Sequence, residues 1–543
     1  MIKRIYPQIQ GEIESGEDVL EEYSRDWSIF KINPSAVAFP KNSSDICTLV
    51  NWASLENKNG HRVSLTGRSA GTDMTGGPLN ESLIVSFSRY TNKIISIGDK
   101  EATVQPGCYF RDFDKATLRK NLIYPAYPAS RDLCALGGIV NNNSAGEKTL
   151  KYGKADKWVK SLRVVLSDGN EYEFRGFSGK DLEAVMARGD LFGRVHREIF
   201  RICTENKELL EKAKPKTTKN SAGYALWDVW DGRTLNLSKL IIGAQGTLGL
   251  VTEATLGLII PPKHSRLAVI FMSDMKEIAK VVDICMKFKP ESLESYDDST
   301  LKVAMRYAPE MLSVIGAKNI VKLAYDFMPE IWRVIRHGMP KIVLLCEVAG
   351  EDEEEIKSDL DRLKANLSGE GFEVRLAATE EEAKKYWAIR RHSFALLTRH
   401  AGERKTAPFI DDVAVPYENL YQYLPALEET LKPYRKFFVY TVAGHVGDGN
   451  FHIIPLANLS DPKVRALIPR ICEEVYRLTV EHGGTITAEH NDGLIRTPFL
   501  NIQYLPEVIN LFEEVKRLFD PLSIFNPGKK VHGDIAYAMS HIK

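Results

Sequence analysis

At 543 residues the chain is too long for one hydrophobic core, and about two to four domains are expected. Its composition, 44% hydrophobic and 27% charged, is ordinary for a soluble globular protein, and Lys plus Arg equals Asp plus Glu, 72 against 72. No global field favours nucleic acid or an anionic membrane, so the expected partners are small molecules and not nucleic acid. Seven scattered cysteines without a Cys-x-x-Cys pair speak against a disulfide framework, a cysteine zinc site and a bound iron–sulfur cluster. The first residues have no apolar core of signal-peptide length and no later segment reads as a membrane span, so the expected location is cytoplasmic.

Residues 1–33 are expected to form a helical, partly exposed segment with Glu12, Glu14, Glu17, Glu21 and Glu22 on a solvated face. A βαβ beginning follows: a strand at 36–40, an amphipathic helix at 43–57 capped by Ser43 or Ser44, and a strand at 62–65. Straight after it comes Thr66-Gly67-Arg68-Ser69-Ala70-Gly71-Thr72-Asp73-Met74-Thr75-Gly76-Gly77-Pro78. Glycines and small hydroxyl residues let backbone amides approach a phosphate, although a tight surface turn has the same composition. It is neither a Rossmann fingerprint nor a Walker loop. Strands at 82–86, 94–97 and 101–104 and a helix at 110–120 lead to a second small-residue stretch. That stretch contains Pro128-Ala129-Ser130 and Leu136-Gly137-Gly138-Ile139-Val140-Asn141-Asn142-Asn143, and it precedes a strand at 159–166. A third, Gly243-Ala244-Gln245-Gly246-Thr247-Leu248-Gly249-Leu250-Val251, ends in a strand and Pro261-Pro262. Three glycine-rich bends after strands suggest one long cofactor contacted repeatedly.

Together these stretches resemble the FAD domain of the vanillyl-alcohol-oxidase and para-cresol-methylhydroxylase superfamily, in the branch of D-2-hydroxy-acid dehydrogenases that includes D-lactate, D-2-hydroxyglutarate and glycolate dehydrogenases. The resemblance spans residues 34–532 and implies an α+β fold. It divides the chain into an N-terminal helical segment (1–33), a two-part FAD-binding domain of the para-cresol-methylhydroxylase type (34–262), an α+β substrate or cap domain (263–465) and a C-terminal helical segment returning to the FAD domain (466–543). It places Gly67, Arg68, Ser69, Ala70, Gly71, Thr72 and Gly76 around the FAD pyrophosphate, and Pro128, Ser130, Gly137, Gly138 and Asn143 along the cofactor's middle. Gly246, Thr247, Gly249 and Val251 would hold the adenine side. Relatives often have Glu where this chain has Gln245. Members with covalent flavin carry a histidine at the position of Thr72, so FAD is expected to be held non-covalently.

After residue 262 the texture changes to strands at 266–271 and 341–348 and helices at 275–288 and 352–367, a second α+β domain. The acidic run at 351–355 reads as a solvated helix start. A helix at 380–400 carries Arg390, Arg391, His392, Arg399 and His400. The resemblance makes Arg390 the partner of the substrate carboxylate, against the bland reading of a basic surface helix. Glutarate-specific relatives supply a threonine and a lysine where this chain has Phe394 and Ile410.

A strand at 412–416 leads to Val442-Ala443-Gly444-His445-Val446-Gly447-Asp448-Gly449-Asn450-Phe451-His452. Its glycines make a helix improbable, and Asp448-Gly449 signals a two-residue type I′ hairpin turn that would set His445 directly opposite His452. Two facing imidazoles can bridge one divalent metal, or be no more than packing or surface histidines. After a helix at 462–482, the stretch Thr487-Ala488-Glu489-His490-Asn491-Asp492-Gly493 offers an oxygen ligand. Two imidazoles and one carboxylate with open positions suit a catalytic divalent site. In the resemblance His445, His452 and Glu489 hold the metal, Zn or Mn, and His490 is the base, while Asn491 replaces a common glycine. A helix at 506–519 and a tail with Asn526 near the flavin close the chain.

The reading is an FAD-dependent dehydrogenase oxidising a D-2-hydroxy acid to the 2-oxo acid, first choice a D-lactate-like monocarboxylate, with D-2-hydroxyglutarate or glycolate as alternatives. Some relatives carry an iron–sulfur segment, whereas this chain ends 15 residues beyond Gly528. A separate electron acceptor is therefore implied: an iron–sulfur protein, an electron-transfer flavoprotein or a quinone. Peripheral attachment to the inner face of a membrane and a homodimer are both compatible with this. From other classes, a metal-dependent hydrolase would leave the glycine loops unexplained, and a non-catalytic flavin-binding subunit would leave the two histidines and Glu489 without a role.

Overall fold

The computed structural model describes residues 6–306, 332–399 and 404–543, without the side chains of residues 303 and 392–398. The first sheet has four strands. Ala36–Phe39 and Leu65–Arg68 run parallel to Leu83–Ser86 between them. Two of these strands, Ala36–Phe39 and Leu83–Ser86, are wholly buried, as expected for a parallel sheet covered on both faces. The helix Ser43–Lys58 is capped by Asn42, whose Oδ1 accepts from the Asp45 amide, and not by Ser43 or Ser44. Asp45 sets that phase, since its carboxylate accepts from the amides of Gln10, Gly11 and Lys41.

The N-terminal segment is not simply helical. Glu12–Glu14 adds an antiparallel strand to Ala36–Phe39, and only Glu17–Tyr23 is an α-helix. The alternation of Glu12, Ile13 and Glu14 explains this, because Ile13 packs against the core while both glutamates reach Arg89. Ile29, Phe30 and Ile32 are buried beneath the first glycine loop.

A five-stranded antiparallel sheet follows, in the order Ile94–Ile97, Glu101–Val104, Leu250–Gly257, Val159–Val165, Glu171–Phe174. The helix Leu191–Glu205 lies over it and buries His196 among Phe174, Phe177 and Phe192. Nδ1 of His196 bonds the Phe192 carbonyl, whereas Nε2 has no partner. Burial holds its pKa down at about 4. Between pH 6.5 and 4 the folded state therefore binds fewer protons here than the unfolded chain, and stability is lost as pH falls through that window, by on the order of 3 kcal/mol. His196→Phe is expected to flatten the fall in Tm between pH 6.5 and 4.5, read by thermal unfolding at each pH. An unchanged slope would show that other groups carry the acid sensitivity.

The cap is an eight-stranded antiparallel sheet. Along His264–Met272 and Ile342–Gly350 alternate side chains face opposite sides. Ala268, Ile270, Leu344 and Cys346 join one cluster with the helices Ile278–Met286 and Glu353–Gly369. Leu267, Val269, Val343 and Leu345 meet Leu301, Tyr386, Trp387 and Ile389 of Asp298–Arg306 and Glu380–Arg399 on the other. The acidic run begins a helix as expected, with Asp352 as its cap. His400 lies outside the described residues. The helix Pro506–Phe519 is followed by a return to the first sheet, where the Leu65 amide donates to Ile524 O and the Asn526 amide to Leu65 O. Among the described residues no helix is long and apolar enough to cross a membrane.

Candidate functional site

The three glycine-rich stretches come together around one open cleft. Gly67, Arg68, Ser69, Ala70, Gly71, Thr72, Gly137, Gly138, Gly246, Gly249 and Val251 line it, joined by Asp73, Asn142 and Gln245. Gly76, Pro128, Ser130, Asn143, Thr247 and Asn526 are not in its lining. Several of these are braces behind it. The Gly76 amide is held by Asp26, Asn143 closes the helix Leu136–Asn142 in a left-handed conformation, and Asn526 donates to the carbonyls of Gly77 and Gln245 while accepting from Thr66. Arg68 turns its guanidinium outward to the carbonyls of Tyr23 and Arg25. The N-terminal segment thus braces the first loop, a role its sequence does not announce.

The lining suits a dinucleotide. Among the described residues the amides of Ser69, Ala70, Gly71 and Thr72 donate to no protein acceptor, and such a row of free N–H groups is an anion cradle. A Cβ added at Gly138 or Gly246 would meet nothing within 4 Å. These two glycines leave the space a cofactor's backbone-hugging portion would take.

The hairpin exists, but its turn is not the two-residue type I′ expected. His445 pairs with Asn450 and Ala443 with His452, and four residues connect the strands through a 3-10 turn at Val446–Asp448 and a left-handed Gly449. A type I′ turn needs positive φ at both central residues. Here only Gly449 has it, because the Asp448 side chain is drawn to Thr218 and Lys219. His445 and His452 are therefore diagonal neighbours on one face, with ring centroids 5.3 Å apart.

Glu489 meets both. Its Oε1 lies 3.2 Å from His445 Nε2 and 3.0 Å from His452 Nε2, while His490 Nε2 stands further off at 3.9 Å. Two of the opposite ring nitrogens are hydrogen-bonded to carboxylates, His445 Nδ1 to Glu294 at 2.5 Å and His452 Nδ1 to Asp411 at 3.1 Å, while His490 Nδ1 lies 2.7 Å from Asp411 Oδ2 as a charge contact without hydrogen-bond geometry. Orienting partners of this kind are what metal-binding imidazoles require. Asp412 is also close to His452, Glu489 and His490. Its oxygens are already taken by Asn450 Nδ2, Thr487 Oγ1 and the amides of Ala488, Glu489 and His490, so it anchors the loop and is a poor donor for an ion. Asn491 adopts φ +71°, the conformation a glycine would take there, and Nδ2 ties it to the carbonyls of Gly243 and Asn142.

Charge supports the same fit. Despite burial, Asp411 and Glu489 raise the pKa of His452 to about 10, and Glu294 is lowered to about 2 against its burial by His445 and Arg390. Burial disfavours the charge on Lys219, yet Glu489 and Asp448 hold its pKa above the usual lysine value. With neutral imidazoles, among the described residues the carboxylates Glu294, Asp411, Asp412, Asp448 and Glu489 outnumber the cations Lys219, Arg390 and Arg496 that face them, an excess of negative charge that suits a divalent cation. Arg390 is paired with Glu294 at 3.1 Å, and its buried Nε has no partner among the described residues. Glu294, Asp411 and Lys219 escape sequence reasoning, although Asp411 stands beside the expected strand at 412–416.

The cleft and the histidine cluster share a wall. Asn142 lines the cleft, and its Nδ2 donates to the Glu489 carbonyl at 2.8 Å.

With that geometry in hand, the chain was compared with known proteins. Residues 34–175 match an FAD binding domain, and residues 261–530 match the C-terminal domain of FAD linked oxidases. D-2-hydroxyglutarate dehydrogenase of Pseudomonas putida is 28% identical over 535 residues, covering 96% of this chain and 50% of that protein. D-lactate dehydrogenase of Archaeoglobus fulgidus is 25% identical over 498 residues, with 91% of each chain covered. The chain spans about half the length of several curated relatives it matches. Substrate-bound p-cresol methylhydroxylase shares the fold at 14% identity, with a TM-score of 0.66 over 96% of this chain and 94% of that one. With the matched domains covering the first two glycine stretches of the cleft and the histidine cluster, the chain belongs to the FAD-linked oxidases, built on the p-cresol methylhydroxylase type of FAD-binding fold.

Proposed function

We propose that this protein is an FAD-dependent dehydrogenase that oxidises a D-2-hydroxy acid to the 2-oxo acid. The observation that carries the reading is the convergence of His445, His452 and Glu489 at a wall shared with the FAD cleft through Asn142. The cleft would hold FAD, whose chemistry is to accept a hydride, and His445, His452 and Glu489 would hold a divalent cation, Zn or Mn, whose chemistry is to polarise the substrate's hydroxyl oxygen.

His490 is the base. Asp411 faces its Nδ1 at 2.7 Å, which favours the charge the ring gains when Nε2 takes the hydroxyl proton. Its greater distance from Glu489 Oε1 separates it from the two ligand imidazoles, although its ring stacks on His452 at 4.9 Å. Arg390 receives the substrate carboxylate, exchanging its contact with Glu294 or sharing it through the unpartnered Nε. Asp411 and Glu294 orient the imidazoles and stay ionised throughout. FAD is held non-covalently, with Thr72 in the loop where attachment occurs in other members. A separate electron acceptor, an iron–sulfur protein, an electron-transfer flavoprotein or a quinone, would then reoxidise the flavin.

A monocarboxylate is favoured as substrate. Arg391 is already bidentate to Glu147 at 2.7 and 2.8 Å, Arg399 and Lys405 are exposed, and Ile410 is fully buried; the Phe394 side chain lies outside the described residues. A second buried carboxylate without a cation costs several kcal/mol. The alternative is D-2-hydroxyglutarate, the substrate named for the Pseudomonas putida relative. In assays with an artificial electron acceptor, D-lactate and D-2-hydroxybutyrate are expected to exceed D-2-hydroxyglutarate in kcat/KM by about tenfold or more, roughly 1.4 kcal/mol in transition-state binding. A tenfold preference for the dicarboxylate would overturn the assignment of substrate size. Failure of every 2-hydroxy acid to bleach the flavin would overturn the function.

A further inference from the structure

Lys219 touches no part of the cleft lining, yet it reaches the centre of the histidine cluster. It lies between the helix Lys207–Ala213 and the 3-10 turn Leu226–Asp228, on a stretch without regular structure that is pinned to the Glu489 loop. The Ser221 amide donates to Thr487 O, Ser221 Oγ to Ala488 O, and Asn220 Oδ1 accepts from Thr485 Oγ1. The lysine side chain is fully buried. Its Nζ lies 3.4 Å from Glu489 Oε2, 3.3 Å from Asp448 Oδ2 and 3.4 Å from Asn450 Oδ1. Three acceptors match the three N–H groups of an ammonium. Asp448 meets this ammonium from within the four-residue hairpin turn, and Thr218 Oγ1 donates to its other carboxylate oxygen at 2.8 Å.

The two oxygens of Glu489 therefore face opposite ways. Oε1 looks at the Nε2 atoms of His445 and His452, and Oε2 looks at Lys219. A carboxylate free to rotate would offer both oxygens to a cation and fill two positions around it. We propose that Lys219 is a positioning residue that withholds Glu489 Oε2, so that Glu489 binds a divalent cation through one oxygen and a coordination position stays open for the substrate. This rests on the reading of His445, His452 and Glu489 as cation ligands. Lys219 also lowers the negative charge of the ligand set. Open coordination is then obtained at the expense of cation affinity, which gives the role a signature that simple structural support lacks.

The test uses the FAD-loaded protein stripped with EDTA and titrated with Mn²⁺ alone, in wild type, Lys219→Met and the double variant Lys219→Met/Asp448→Asn. The double variant keeps the buried charge balanced should the single one fail to fold. Both are expected to retain flavin and to bind Mn²⁺ at least tenfold more tightly than wild type, while kcat/KM for the 2-hydroxy acid falls at least a hundredfold. Affinity and activity moving in opposite directions is the result that a merely structural lysine would not produce. Mn²⁺ affinity of the double variant within threefold of wild type, affinity falling together with activity, or flavin lost from it, would each overturn the proposal. A wild-type protein that binds no Mn²⁺ would overturn the ligand assignment itself, and that result is read before any variant is made.

Discussion

Glu489→Gln is expected to lower kcat/KM by about a thousandfold or more while leaving flavin content unchanged. The glutamine keeps the shape but removes the charge, and its amide must place NH₂ either against Lys219 or against the Nε2 atoms of His445 and His452. Either orientation sets a donor where the wild type has an acceptor. On the proposed reading Glu489 is a charged ligand to a cation that polarises the reacting oxygen, and its loss then removes several kcal/mol of transition-state stabilisation, each 1.36 kcal/mol being about tenfold in rate. The FAD cleft is lined by other residues, so the flavin spectrum serves as the folding control. A variant that keeps more than a tenth of wild-type kcat/KM would remove Glu489 from the reaction, and with it the role given to the pair of histidines.

What the sequence makes legible at this site is local chemistry. Glycine loops after strands, two histidines seven residues apart around glycines, and a carboxylate next to a third histidine all carry their meaning within a few positions. Glu294, Asp411 and Lys219 do not. Glu294 becomes the partner of His445 because Ser295 pairs with Gly444 across two strands almost 150 residues apart, and no spacing along the chain encodes that register. Lys219 sits on a loop between helices and gains its place only from hydrogen bonds to the Glu489 loop.

The hairpin shows the same limit from the other side. Asp448-Gly449 has the local signature of a two-residue turn, but a buried ammonium competes for the Asp448 carboxylate and a longer turn results. Its parity preserves the face, which is why His445 and His452 still converge although the register differs. The N-terminal strand was hidden for a related reason. Three residues, Glu12–Glu14, have too few positions for a period to be read, and their strand state depends on the free edge of Ala36–Phe39.

Gly138→Leu is expected to empty the FAD cleft without weakening the protein that surrounds it. Gly138 is the third residue of the helix Leu136–Asn142, has no left-handed backbone requirement, and its missing side chain faces open cleft with nothing within 4 Å of a Cβ. Glycine inside a helix costs about 0.5–1 kcal/mol relative to a good helix former, so the leucine is neutral or mildly stabilising for the apoprotein. In the holoprotein the same side chain would project into the cleft that Ser69, Gly71 and Gly246 also line. FAD affinity is expected to fall at least about a hundredfold, roughly 2.7 kcal/mol, so that the purified variant carries little flavin. Measurement pairs the flavin-to-protein absorbance ratio with the Tm of flavin-stripped samples. Colour lost with an apoprotein Tm equal to or above wild type assigns Gly138 to the cofactor's path; full flavin occupancy would place FAD elsewhere in the cleft, and a lower apoprotein Tm would mean that the glycine serves packing.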